Sequence, residues 1–172
     1  MTPPRLVEAA DELLRFLDAN GRSACLIGGV VVSRWGEPRA TKDVDATVLV
    51  DFTHEAAMLD LLLSKFASRD PDPVRRAELG RLALLRATNG VDLDISFGAF
   101  PFEIEVLQRA SDWQVTPDIA LRTCSAEEAV RTRRADRCRC APSLARARQS
   151  RRRREPTRRV RVTALAGRGG TV

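Results

Sequence analysis

Apolar residues at Leu6, Val7, Ala10, Leu13, Leu14 and Leu17 follow Pro3-Pro4 at helical spacing, and Asn20-Gly21 closes the segment. A short apolar run, Ser23 to Ile27, then predicts a buried strand leading into Gly28-Gly29, and Val30 to Trp35 predicts a short helix ended by Gly36 and Pro38. Val44 to Val50 is β-branched and alternating, which predicts a second strand. His54 to Ser68 carries Ala57, Leu61, Leu62 and Phe66 as the apolar side of a helix, and Asp70 to Pro73 has the composition of a loop. Leu82 to Ala87 and Val91 to Phe97 flank Asn89-Gly90, a strong hairpin signal. Pro101 opens a helix running to Arg109, and two weaker strands are expected at Trp113 to Val115 and Ile119 to Arg122. Ser125-Ala-Glu-Glu128 has the pattern of a capping box before a further helix. Strands and helices mixed in this order predict an α/β domain with a mixed, partly antiparallel sheet.

Length and charge change this picture at one end of the chain. The 172 residues suit one domain with a tail, and 44% hydrophobic residues suffice for a core. The net charge of +6 hides two unlike parts. Residues 1–128 carry 14 Lys and Arg against 21 Asp and Glu, a net −7, whereas residues 129–172 carry 15 Arg, no Lys and only Asp136 and Glu155, a net +13. No apolar run approaches the length of a membrane span, and Glu8, Asp11, Glu12 and Asp18 argue against a leader sequence. The four cysteines form no C-x-x-C pair and His54 is the lone histidine, so neither a zinc site nor a disulfide framework is expected. The expected setting is cytoplasmic, with reduced thiols.

The chemistry concentrates in Leu26-Ile-Gly-Gly29 and Arg39-Ala-Thr-Lys-Asp-Val-Asp45. Strand alternation puts the Asp43 and Asp45 carboxylates on one face and Val44 and Ala46 on the other. Adjacent carboxylates repel unless a cation neutralises them, and Mg²⁺ takes oxygen ligands together with substrate phosphates. Asp92 and Asp94 alternate in the same way on the second hairpin strand. Three carboxylates on neighbouring strands can hold two metals about 3.5–4 Å apart, the arrangement of in-line phosphoryl chemistry. Gly28-Gly29, between a strand and a helix, lets backbone N–H groups approach an anion such as a triphosphate. Blander readings exist: a plain tight turn for Gly-Gly, and Arg39 and Lys42 solvated or paired with Asp43 and Asp45. Trp35 and Trp113 read as core residues, and His54 as a surface residue.

Gly28-Gly29 followed by Trp35-Gly-Glu-Pro-Arg-Ala-Thr-Lys-Asp-Val-Asp45 resembles the nucleotidyltransferase superfamily. The likeness is greatest to the bacterial group of minimal nucleotidyltransferases and AbiEii-type toxins of type IV toxin–antitoxin systems. Asp94-Ile-Ser-Phe-Gly-Ala-Phe-Pro-Phe-Glu103 resembles the same group, and the likeness covers roughly residues 6–128. It implies a polymerase-β-like nucleotidyltransferase fold that binds an NTP with Mg²⁺. By resemblance, Asp43 and Asp45 match the paired metal ligands and Asp94 the third acid, which helps activate the acceptor hydroxyl. Asp92 remains an alternative, although Asp94 is better placed against the run that follows. Gly28 and Gly29 match the phosphate-contacting turn, and Arg39 and Thr41 match positions supporting the turn or the nucleotide. Catalysis then consists of positioning and charge neutralisation as an acceptor hydroxyl displaces pyrophosphate. The implied acceptor is a tRNA end in a toxin role, with a cognate antitoxin as partner. The alternative is an antitoxin-like enzyme that modifies a protein toxin.

Beyond residue 128 the apolar periodicity and the resemblance stop together. Residues 129–172 contain no Ile, Phe, Met or Trp, and Leu144, Leu165 and four valines are their only sizeable aliphatic residues. Such a segment is expected to be a disordered tail. Arg151 to Arg154 and Arg158-Arg159 would grip phosphate backbones without sequence preference. A switch to Arg, Ala, Pro, Cys and Gly without Lys also matches a GC-rich gene read out of frame, so this end is read as frameshifted or degenerate. A non-enzymatic remnant that binds nucleic acid through its Arg-rich end is the third functional reading.

Overall fold

The computed structural model describes residues 3–36 and 40–129. Arg39 and nearly all of the Arg-rich segment therefore lie outside the described residues, as do the expectations attached to them. Among the described residues a mixed α/β fold is formed by α1 (Pro4–Ala19), β1 (Ala24–Ile27), α2 (Gly28–Trp35), β2 (Asp43–Leu49), α3 (Glu55–Leu63), β3 (Ala67–Ser68), α4 (Pro73–Gly80), β4 (Leu82–Arg86), β5 (Asp92–Gly98), α5 (Pro101–Gln108), β6 (Ser111–Thr116) and β7 (Ile119–Thr123). The strands build one seven-stranded sheet in the order β3-β4-β5-β2-β1-β7-β6. β2 runs parallel to β5 and β1 parallel to β7, and the other neighbours are antiparallel. No helix among the described residues is long and apolar enough to cross a membrane.

α1 follows the predicted stripe, burying Leu6, Val7, Ala10, Leu13 and Leu17. It ends where Asn20-Gly21 allows: Gly21 takes φ +67°, and the Arg22 N–H donates to the Leu17 carbonyl at 2.9 Å. β2 alternates as expected, with Val44, Ala46 and Val48 buried and Asp43 and Asp45 half-buried on the opposite face. The core continues through Leu26, Leu93, Ile95, Phe97 and Leu121, and a T-shaped contact of Phe16 with Phe66, 5.4 Å between centroids, ties α1 to the segment after α3.

The structure departs from the sequence reading in four places. The helix expected to reach Ser68 stops at Leu63, and Ala67–Ser68 instead pair with β4. The buried apolar residues of α3 are Met58, Leu59 and Leu62 rather than Ala57, because the helix turns that stripe inward, and Glu55 is buried with them. α4 was not foreseen; Asp72 caps it by accepting from the Arg75 N–H, and Ala77 is the helix's single buried residue. Trp35 is 45% exposed rather than in the core. Its indole N–H donates to the Cys124 carbonyl at 3.0 Å, and its ring lies under the Arg34 guanidinium. The hairpin formed as expected, though its turn spans three residues, 88–90, with the Gly90 N–H donating to the Ala87 carbonyl. At the far end, residues 126–129 are helical and the Glu128 N–H lies 3.4 Å from Ser125 Oγ, in keeping with the capping pattern there.

Candidate active site

The parallel register of β2 and β5 sets Asp43 opposite Asp92 and Asp45 opposite Asp94. Since strand side chains alternate, all four carboxylates share one face of the sheet. Asp43, Asp45 and Asp94 each offer a carboxylate oxygen, and these oxygens lie within 4.8 Å of one another. Asp92 is drawn the other way. Its Oδ1 accepts from Arg86 Nε at 3.0 Å and lies 3.5 Å from Arg69 Nε. Of the two acids left open by the sequence, Asp94 is thus the one that joins the pair on β2.

The glycine pair is required by close approach. Gly28 has φ +66°, and a Cβ there would overlap the Asp45 carboxylate, coming within 2.6 Å of its Cγ. A Cβ on Gly29 would come within 2.5 Å of Thr41 Oγ1. The antiparallel pairing of Ile27 with Asp45 brings this turn to the acids. Two ties then fix the carboxylates: the Gly29 N–H points to Asp45 Oδ2 at 3.4 Å, and the Thr41 hydroxyl donates to Asp43 Oδ1 at 2.8 Å. Thr41 therefore braces Asp43 and packs on Gly29. Further along the same face, Thr47 is buried and its hydroxyl has no hydrogen-bond partner among the described residues.

Two arginines without a motif complete the neighbourhood. Arg69, just after β3, donates to Asp94 Oδ1, and its Nε donates to the Leu85 carbonyl at 2.8 Å. Burial pushes the Asp94 carboxyl above the ordinary carboxylate range; Arg69 pulls it down, and Asp43 and Asp92 push it up again. The hairpin could have revealed the second arginine. Counting outward from Ala87 and Val91 places Arg86 opposite Asp92. For Arg69 no spacing signal exists, since only the tertiary fold brings it to β5.

Hard oxygen donors in threes suit Mg²⁺, which needs near-octahedral oxygen geometry at about 2.0–2.1 Å and keeps positions for water and phosphate. The Asp43, Asp45 and Asp94 set fits in donor type, and its oxygens gather within 4.8 Å of one another. A separate cavity of about 670 Å³ opens between α1 and the β6–β7 pair, where Asp11, Asp18, Asp112 and Asp118 alternate with Arg15 and Arg122. None of the expected site residues lines it.

No protein-family model matches the chain, and no curated protein matches it in sequence. Solved structures do match. An antigenic nucleotidyltransferase-like protein from Paracoccidioides brasiliensis aligns at TM-score 0.50 and 18% identity, over 77% of this chain and 66% of that one. This chain thus spans just under two thirds of that protein's length. A candidate nucleotidyltransferase from Thermotoga maritima aligns at TM-score 0.56 and 11% identity, over 90% of this chain and 93% of that one. A third, the lincosamide antibiotic adenylyltransferase LnuA with lincomycin bound, aligns at TM-score 0.45 and 15% identity, over 72% of this chain and 82% of that one. The first two likenesses define the architecture as a nucleotidyltransferase-like fold.

Proposed function

We propose that this chain is a Mg²⁺-dependent nucleotidyltransferase that moves a nucleotide from an NTP to an acceptor hydroxyl. The observation that carries the reading is the convergence of Asp43, Asp45 and Asp94 beside the Gly28-Gly29 turn on a nucleotidyltransferase-like fold. Asp43, Asp45 and Asp94 would hold the ion, and Thr41 and the Gly29 N–H keep the two β2 carboxylates aimed. Bound there, Mg²⁺ supplies neutralisation of the triphosphate charge. The Gly28-Gly29 turn brings the N-terminus of α2 up to Asp45, so a triphosphate bound with the ion would lie beside that helix start. The acceptor oxygen attacks the α-phosphorus, pyrophosphate leaves, and Asp94 is the base placed to take the hydroxyl proton.

The acceptor proposed is a tRNA end, in a toxin-like role with a cognate antitoxin, which rests on the likeness to the AbiEii-type group. Residues 1–128 form the catalytic domain in this reading, and residues 129–172 an Arg-rich appendage that is frameshifted or degenerate. The test incubates the full chain with Mg²⁺, each α-labelled NTP, and either total tRNA or lysate protein, beside Asp43→Asn. Label on tRNA that vanishes in Asp43→Asn supports the proposal. Label on protein instead identifies an enzyme that modifies a protein partner. No label from a folded chain, with RNA binding that salt abolishes, would leave the non-enzymatic remnant as the correct reading.

A further inference from the structure

Both acids on β5 meet arginines directly. Asp43 and Asp45 approach from β2, whereas on β5 Asp92 is met by Arg86 of β4 and Asp94 by Arg69 from beyond β4. Arg69 is held at three points. Its backbone N–H donates to the Leu84 carbonyl at 2.9 Å, its Nε donates to the Leu85 carbonyl at 2.8 Å, and its terminal nitrogen reaches Asp94 Oδ1. The side chain is 22% exposed, so water screens it only in part. With its backbone pinned to Leu84 and its guanidinium to the Leu85 carbonyl, Arg69 presents a fixed charge to one of the three carboxylates that gather on this face.

A divalent cation held by Asp43, Asp45 and Asp94 would have to share Asp94 with Arg69. A triphosphate arriving with the cation adds its own oxygens and negative charge, which offsets the guanidinium. We propose that Arg69 is a positioning residue that orients Asp94 and holds down the affinity of the acid cluster for a bare divalent cation, so that the ion is captured together with the nucleotide. This inference rests on the reading of the cluster as a metal centre, and it adds a regulating residue to that centre.

The experiment titrates Mn²⁺ by electron paramagnetic resonance into the full chain without nucleotide, comparing wild type with Arg69→Gln, Arg69→Lys and Asp94→Asn. A unit charge about 5 Å from a divalent ion in a solvent-accessible site changes affinity by roughly fivefold or more after screening. Arg69→Gln is therefore expected to bind Mn²⁺ about fivefold more tightly than wild type. Arg69→Lys, which keeps the charge, stays near wild type, and Asp94→Asn weakens binding. Circular dichroism melts check each fold, and Arg69→Met, which keeps the packed stem, supplies the neutral variant should the Gln variant fail to fold. Equal or weaker binding by the neutral variants, with Asp94→Asn still weakened, overturns the inference and leaves the metal centre standing. No Mn²⁺ binding by wild type or by either neutral variant removes the metal centre and the inference together.

Discussion

Gly28 offers a sharp test of whether the site is built as described, because a second glycine supplies its control. Gly28 and Gly21 have nearly the same backbone, φ +66° and +67°, yet opposite surroundings. Nothing lies within 4 Å of a Cβ added at Gly21, whereas one added at Gly28 overlaps the Asp45 carboxylate. Gly21→Ala therefore meets only the left-handed backbone penalty, about 1–2 kcal/mol. Gly28→Ala meets the same penalty and must also turn Asp45 out of its rotamer, about 0.5–1.5 kcal/mol. The long Gly29 N–H to Asp45 bond goes with it, which adds about 0.5–1 kcal/mol. The difference between the two variants should thus be about 1–2.5 kcal/mol, read as a shift in urea midpoint at constant slope. Activity should separate them further. Moving a catalytic carboxylate by about 1 Å can cost on the order of 100-fold, so Gly28→Ala should lose nucleotide transfer while Gly21→Ala keeps it. Equal stability losses together with retained transfer in Gly28→Ala would refute the close approach of this turn to Asp45.

Two further outcomes are expected. Burial raises the Cys25 thiol to about 12, with Cys124 adding to the rise, and raises the Cys124 thiol to about 11, against an ordinary 9.0. These thiols stabilise the fold fully below pH 9 and lose that contribution as pH climbs from 9 through their folded values, because the unfolded chain ionises first. N-ethylmaleimide at pH 8 should leave both unlabelled in the native chain, as mapped by peptide mass spectrometry, and urea midpoints should fall between pH 8 and 10. Arg34 ties α2 to the β6–β7 pair by donating to the Ser111 and Asp112 carbonyls and to Thr123 Oγ1 at 2.6–3.0 Å. Arg34→Met should cost about 1–3 kcal/mol in urea unfolding and raise hydrogen exchange in β6 before other strands.

The candidate site was largely legible because its parts are local. A strand running into Gly-Gly, and D-x-D on a β-branched strand, carry their geometry in the sequence itself, since alternation alone puts Asp43 and Asp45 on one face. What spacing could not supply is which strands become neighbours. Alternation alone did not separate Asp92 from Asp94, and only the resemblance favoured Asp94, until the pairing of β4 with β5 gave Asp92 to Arg86. α4 escaped because a helix that buries little more than Ala77 leaves no apolar stripe to read. Trp35 was misplaced because its indole N–H finds the Cys124 carbonyl just after β7, which hydrophobicity alone does not register. Arg69 was invisible for a simpler reason. A loop arginine acquires its role only when the chain folds back on itself.

The parallel alignment of β2 with β5 has a consequence for how the chain reaches its working form. Every antiparallel pair in the sheet can form while β2 and β5 stay apart, and each of those strands then holds two aspartates with no third carboxylate beside them. Closing the parallel pair requires α3, β3, α4 and β4 to have been laid down in between, a connection of long sequence separation that forms slowly. A slip of one residue in this pair would turn Asp92 and Asp94 to the opposite side of the sheet. In the proposed reading the three-carboxylate set therefore exists only once β2 and β5 have paired, so a cation that binds it would stabilise the closed pair over a chain with the pair open or slipped by one residue.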